Sequence, residues 1–207
     1  MIDIDRTGPI HTLTINRPDK AGALTEQMLI DLRDAVLEAK DAAALILTGT
    51  GKVFSAGADL EAARAGLATS PLWEELSGAI AELPGLTIAA LNGTVAGGAT
   101  GMVLACDIRI AVPTAKFFYP VMKLGYLPQP SDPVRMAALI GPARTKLIFL
   151  AGQKITAHTA YTYGLVDEIV EDSAVTDRAR ELCADSSAAD SSKAREIKAI
   201  CNQPLKS

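Results

Sequence analysis

Phe54-Ser55-Ala56-Gly57-Ala58-Asp59-Leu60 and Asn92-Gly93-Thr94-Val95-Ala96-Gly97-Gly98-Ala99 are the stretches that decide how this chain folds. Each reads as a strand running into a small-residue turn that opens a helix. Such a turn leaves backbone N–H groups unpaired and directed outward, as an anionic oxygen requires. Working outward, residues 44–48 form a short apolar run closed by Gly49-Thr50-Gly51, and residues 87–91 and 107–111 form two more. Helical stretches fall between them: one from residue 59, interrupted near Gly66; one over 71–83, stopped by Pro84-Gly85; and one over 98–105. Strand, turn, helix and strand recur without a long linker, which predicts an α/β core with crossover connections.

The flanks follow the same logic. Residues 2–5 and 10–16 alternate around Thr7-Gly8-Pro9 and predict a β-hairpin. Thr25 caps a helix carrying Met28, Leu29, Leu32, Val36 and Leu37 at helical spacing. Past residue 131 the chain becomes helical, over 131–140, 142–151 and 156–163, with a short strand over 166–170. From Ser173 it is polar and helical, and residues 185–192 read as a loop between two helices.

Length and composition bound the function. A chain of 207 residues, 49% hydrophobic and 21% charged, has material for one sizeable core. A net charge of −4 suits neither DNA nor RNA, so no nucleic-acid partner is expected. No apolar run reaches spanning length, and Met1-Ile2-Asp3-Ile4-Asp5 lacks the layout of a signal peptide, so no membrane partner and a cytoplasmic location are expected. Cys106, Cys183 and Cys201 are too scattered for a disulfide framework or a zinc site, and no metal site is expected. Cys106 reads as a small core residue. His11 and His158 read as structural or solvated. No Gly-x-Ser-x-Gly elbow is present, which disfavours a Ser-His-Asp hydrolase.

Several segments in order carry a resemblance: Asn16-Arg17-Pro18, the Phe54–Leu60 stretch, Gly97-Gly98 and Ala105-Cys106-Asp107-Ile108. Phe117, Pro120, Gly125, Ile140-Gly141, Gly152 and Gly164-Leu165-Val166-Asp167 complete it. Over residues 10–170 the chain resembles the crotonase superfamily, also called the enoyl-CoA hydratase/isomerase family. The resemblance implies a spiral of ββα units, a core over 1–172 that binds acyl-CoA, and a shortened helical C-terminal segment over 173–207. It also implies a homotrimer or hexamer and an acyl-CoA thioester as substrate. Coenzyme A is then part of the substrate, and no other cofactor is expected.

By the same resemblance, the thioester carbonyl sits between the backbone N–H groups of Ala58 and Gly98. Ala56, Leu60 and Gly97 line the approach, and Asp59 caps a helix and anchors the loop. Lys20, Ala21 and Ala23 belong to a loop over the adenine and phosphates of CoA, where Arg17 and Lys52 add positive charge. The family's usual Asn ahead of Ala-Leu is Gly22 here.

The acid/base positions depart from the family. Hydratases of this type carry one glutamate three residues beyond the oxyanion glycine and another directly after the Phe-x-x-Pro proline. Here those positions are Gly101 and Val121. Neither exchanges a proton, and adding water across a double bond needs both a base and an acid. Within Leu127-Pro128-Gln129-Pro130-Ser131-Asp132-Pro133, Asp132 is the first replacement candidate, with capping the next helix as its other reading. Gln129, Tyr126 and Val121 are expected on the substrate wall, with Tyr119 beside them. Glu61, Glu74 and Glu75 are further carboxylates, expected in solvent. The chain also stops one or two helices earlier than its relatives. Three functions stay open: an enzyme forming a thioester enolate, a CoA-ester binding protein without catalysis, and an assembly or regulatory subunit.

Overall fold

In the computed structural model, which describes residues 1–203, the apolar runs become central strands of a six-stranded sheet. β1 (Ile2–Asp5) and β2 (Ile10–Ile15) form the expected antiparallel hairpin. α1 (Glu26–Glu38) follows, with the Thr25 side chain accepting from the Met28 N–H. β3 (Ala44–Gly49) lies parallel to β2. β4 (Val53–Ser55) then leaves for a second sheet and leads into α2 (Leu60–Arg64), and α3 (Leu72–Glu82) brings the chain back to β5 (Leu86–Leu91).

The same moves repeat. β6 (Thr94–Ala96) pairs with β4, α4 (Ala99–Ala105) crosses over, and β7 (Ile108–Ala111) pairs with β5. β8 (Lys116–Phe118) joins β6 and runs into α5 (Val121–Leu124). Each strand–strand–helix unit therefore gives one strand to each sheet, which is the expected ββα spiral. The first sheet reads β1-β2-β3-β5-β7-β10 and the second β4-β6-β8-β9. β3 and β5 are buried nearly end to end, because parallel strands are covered on both faces.

The remaining chain packs around this frame. α6 (Asp132–Phe149) is broken at Gly141, whose φ of 79° and ψ of 158° separate the two helices read over 131–140 and 142–151. β9 (Ile155–Thr156) closes the second sheet against β8, α7 (Ala157–Tyr163) follows, and β10 (Glu168–Ile169) edges the first. α8 (Val175–Leu182), α9 (Ala184–Ala188) and α10 (Ser191–Cys201) complete the described chain. The end of the segment expected over 173–207 lies outside the described residues.

Two expectations need correction. The strand expected over 166–170 is only β10, because Val166 is drawn back to the end of α7 by its N–H bond to the Ala160 carbonyl. The first half of the loop expected over 185–192 is α9, and its last two residues open α10. Ser186 and Ser187 bond the carbonyls three residues back, at Cys183 and Ala184, which lets polar residues close a helical turn. α10 is tied to the core where the Lys198 ammonium meets Asp107 at 2.7 Å and the Gly85 carbonyl at 2.8 Å. Among the described residues no helix is long and apolar enough to cross a membrane.

Candidate active site

The first quoted turn is fixed by a parallel bridge between Leu24 and Ala58. The Leu24 N–H donates to the Gly57 carbonyl and the Asp59 N–H to the Leu24 carbonyl, each at 2.8 Å. That pairing uses the groups on either side of Ala58 and turns its own N–H away. Among the described residues the Ala58 N–H donates to nothing. Gly57 makes the reversal at φ 89°, a region an L side chain rarely enters.

The second turn is built the same way. The Gly97 N–H donates to the Phe118 carbonyl at 3.2 Å, and the chain turns at φ 57° into α4. Gly98 starts that helix, and its N–H also finds no partner among the described residues. The two turns touch, since a Cβ on Gly57 would stand 2.9 Å from the Ala96 carbonyl oxygen and 3.5 Å from the Gly98 nitrogen. Gly98 itself lies on the Trp73 indole, which a Cβ there would meet at 2.9 Å. The chain thus presents two free amides from neighbouring strand ends.

Both amides border a cavity of about 330 Å³. Of the residues expected at the site, Ala56, Ala58, Leu60, Gly97, Gly98, Val121 and Tyr126 line it. The rest of its wall is mainly apolar, and among the described residues it holds no Asp, Glu or His. A larger hollow of about 730 Å³ lies between α6 and α10, away from either free amide.

Lys20, Ala21, Ala23 and Asp59 form the adjoining rim rather than the wall. The Ala21 carbonyl accepts from the Ala56 N–H at 3.0 Å, and the Gly22 carbonyl from the Ser55 hydroxyl at 2.8 Å. Residues 20–24 are thereby stitched to the turn at Gly57. Lys20 and Lys52 are exposed.

Arg17 departs from the role expected of it. Its guanidinium donates to the Ala23 carbonyl and to Asp59, both at 2.9 Å, so it braces the loop instead. Asp59 caps α2 through the Glu61 and Ala62 N–H groups. Partial burial pushes its pKa upward, but those N–H bonds and Arg17 prevail and hold it below the usual value. Gln129 is half-buried but does not reach the cavity wall.

Asp132 is not the helix cap. Ser131 holds that position, and its N–H and hydroxyl are met from α3 by the Glu74 carboxylate at 3.3 and 3.0 Å. Glu74 therefore does not simply face solvent, and Glu75 pairs with Arg33 at 2.8 Å. Asp132 turns inward and is 0% exposed. Its Oδ2 accepts the Tyr119 hydroxyl at 2.9 Å, while Oδ1 is buried without a partner among the described residues.

Burial, with some help from Glu74, pushes the Asp132 carboxyl up to about 7, against the Tyr119 bond and Arg135. Tyr119 is pushed up too, by burial first and then by Asp132. Oδ1 would lie 2.7 Å from a Cβ on Gly101. The space in front of Gly101 is thus filled by the Asp132 carboxylate. Tyr119 lines the cavity and Asp132 stands behind it.

Sequence reasoning missed Trp73 as the floor beneath Gly98 and the bond between Tyr119 and Asp132. The single tryptophan of the chain was a signal for the first, since so large a ring needs a small neighbour.

The chain is similar to known proteins in both sequence and fold. A family model described as enoyl-CoA hydratase/isomerase matches residues 5–207. YngF of Bacillus subtilis is 35% identical over 93% of this chain and 78% of its own length. Carnitinyl-CoA dehydratase of Salmonella enteritidis is 35% identical over 87% of this chain and 72% of its own. The crystal structure of enoyl-CoA hydratase from Bacillus anthracis superposes with a TM-score of 0.89 at 31% identity, covering 97% of this chain and 82% of that one.

Proposed function

This chain belongs to the enoyl-CoA hydratase/isomerase family, and from that membership we propose that it binds an acyl-CoA thioester and stabilises the enolate of its acyl group. The observation that carries the reading is the pair of unpartnered amides, Ala58 and Gly98, on touching turns beside an apolar cavity. Moving charge onto a thioester oxygen between fixed dipoles needs no reorganisation, and each such donor is worth about 3 kcal/mol in the transition state. Ala56, Gly97 and Leu60 let the thioester approach, Val121 and Tyr126 hold the acyl group, and Gln129 supports the wall from behind. Lys20, with Ala21 and Ala23, takes the CoA phosphates and adenine. Coenzyme A enters as part of the substrate, with no other cofactor. A homotrimer or hexamer acting in the cytoplasm completes the proposal.

Ordinary hydration is disfavoured, since Gly101 and Val121 offer no carboxylate and the wall holds none. Isomerisation, decarboxylation or thioester hydrolysis needs fewer proton-transfer groups, and Asp132 is the acid/base of this reading. The same bare wall favours, as a second reading, a CoA-ester binding protein without turnover.

The test compares butyryl-CoA with S-butyl-CoA, its thioether, by calorimetric titration. The thioether has no carbonyl oxygen. At about 1 kcal/mol net per hydrogen bond, losing both amides weakens binding by about tenfold or more. Equal affinities would remove Ala58 and Gly98 from the site.

A further inference from the structure

Resting on the thioester reading above, we propose that Tyr119 is the catalytic residue that carries the proton between the cavity and the substrate α-carbon, with Asp132 behind it as the positioning residue that stores that proton. The polar side chains on the cavity wall, among the described residues, are Arg64, Tyr119 and Tyr126. A guanidinium does not serve as a general acid in proteins, which leaves the two tyrosines. Tyr126 is 38% exposed, and its hydroxyl bonds no described side chain. Tyr119 is 5% exposed, and its ring is held against Phe149 at 4.9 Å between centroids. It alone joins the cavity to a buried carboxyl.

The pair has two hydrogen-bond arrangements that differ by one proton. With the carboxyl ionised, the Tyr119 hydroxyl donates to Oδ2, as the 2.9 Å contact is drawn. With the carboxyl neutral, its own O–H donates to the Tyr119 oxygen, and the tyrosine hydrogen turns toward the cavity.

Protonation of an enolate then balances. The C=C electron pair takes the Tyr119 proton to form the α-C–H bond, and the enolate oxygen between the Ala58 and Gly98 amides returns to a thioester carbonyl. The Tyr119 oxygen takes the Asp132 proton in the same step, so no free phenolate forms and Asp132 is left as carboxylate. Run backwards, the path removes an α-proton and stores it on Asp132. The charged groups facing Asp132 are Glu74 from α3 and Arg135 within α6, of which Glu74 favours the stored proton and Arg135 its release.

The experiment follows deuterium uptake from D2O into the α-position of phenylacetyl-CoA, whose ring acidifies that C–H bond, alongside calorimetric binding of the same thioester. The unmodified protein should exchange the α-hydrogen, with a rate rising through pH of about 7 as Asp132 ionises. Tyr119→Phe should bind with unchanged affinity and lose about a hundredfold in exchange rate. Asp132→Asn should lose at least about tenfold and show no inflection with pH. Tyr119→Phe exchanging at the unmodified rate, or an unmodified protein that binds without exchanging, overturns the proton path and leaves the thioester reading intact. A pH profile without an inflection in the unmodified protein removes Asp132 from it, whatever the variants do. Failure to bind phenylacetyl-CoA or butyryl-CoA overturns the thioester reading itself, and the proton path with it.

Discussion

Asp132 makes the folded chain sensitive to pH in a direction opposite to most carboxylates. Its carboxyl is fully buried, one oxygen has no partner among the described residues, and Glu74 adds like charge nearby. Folding therefore raises the group from its ordinary 3.8 to about 7. Between those values the folded chain keeps a proton that the unfolded chain has released. The group's stabilising contribution is full below about 3.8, shrinks as pH rises, and is gone above about 7. At 1.36 kcal/mol per pH unit, that window amounts to a ceiling on the order of 4 kcal/mol. Against a total stability of about 5–15 kcal/mol, this is a large fraction.

Asp59, hydrogen-bonded and held low, acts in the opposite sense and loses its contribution as pH falls through its folded value. The raw stability curve therefore mixes signs, and comparison with Asp132→Asn isolates the one group. Asparagine keeps an acceptor for Tyr119 but puts an NH₂ where Oδ1 had no partner, a cost of about 1–3 kcal/mol. Urea unfolding followed by far-UV circular dichroism, from about pH 5 to about pH 8.5, should show the variant gaining on the unmodified protein by up to about 3 kcal/mol. A flat difference across that window, or one of opposite slope, would refute a carboxyl that is buried and raised.

Three further outcomes follow from contacts around the site. Gly101→Ala places a methyl 2.7 Å from Asp132 Oδ1, so it should lower stability by about 1–3 kcal/mol in the same unfolding assay, and Asp132→Gly should relieve most of that loss. Gly101→Glu, by itself or with Val121→Glu, should therefore give no hydration of crotonyl-CoA, and any hydration gained should require Asp132→Gly as well. Arg17→Ala removes the brace on Ala23 and Asp59. It should weaken butyryl-CoA binding severalfold while costing about 1–3 kcal/mol of stability, and unchanged binding would detach residues 20–24 from the CoA site.

Local demands were legible in the sequence, and demands met across the fold were not. The turns at Gly57 and Gly97 could be read because a positive φ beside a small-residue helix start is written into consecutive residues. The same holds for the hairpin and the Thr25 cap, whereas the ββα spiral was implied by the family resemblance. β8 and β9 escaped because strands of three and two residues carry no period to detect. Serines that bond back to their own helix hid α9.

Asp132 shows the limit most sharply. From sequence it was a carboxylate two residues past a proline, equally suited to capping a helix. Its real position follows from α4 packing on α6, where Gly101 opens a gap that only a side chain from the facing helix can enter. Any side chain at residue 101 would have to displace the Asp132 carboxylate, which lies 2.7 Å from where its Cβ would stand. Gly101 and the buried Asp132 carboxyl therefore have to be read together. The Asp132 carboxyl stands behind the cavity wall, and among the described side chains Tyr119 is the one that bonds it.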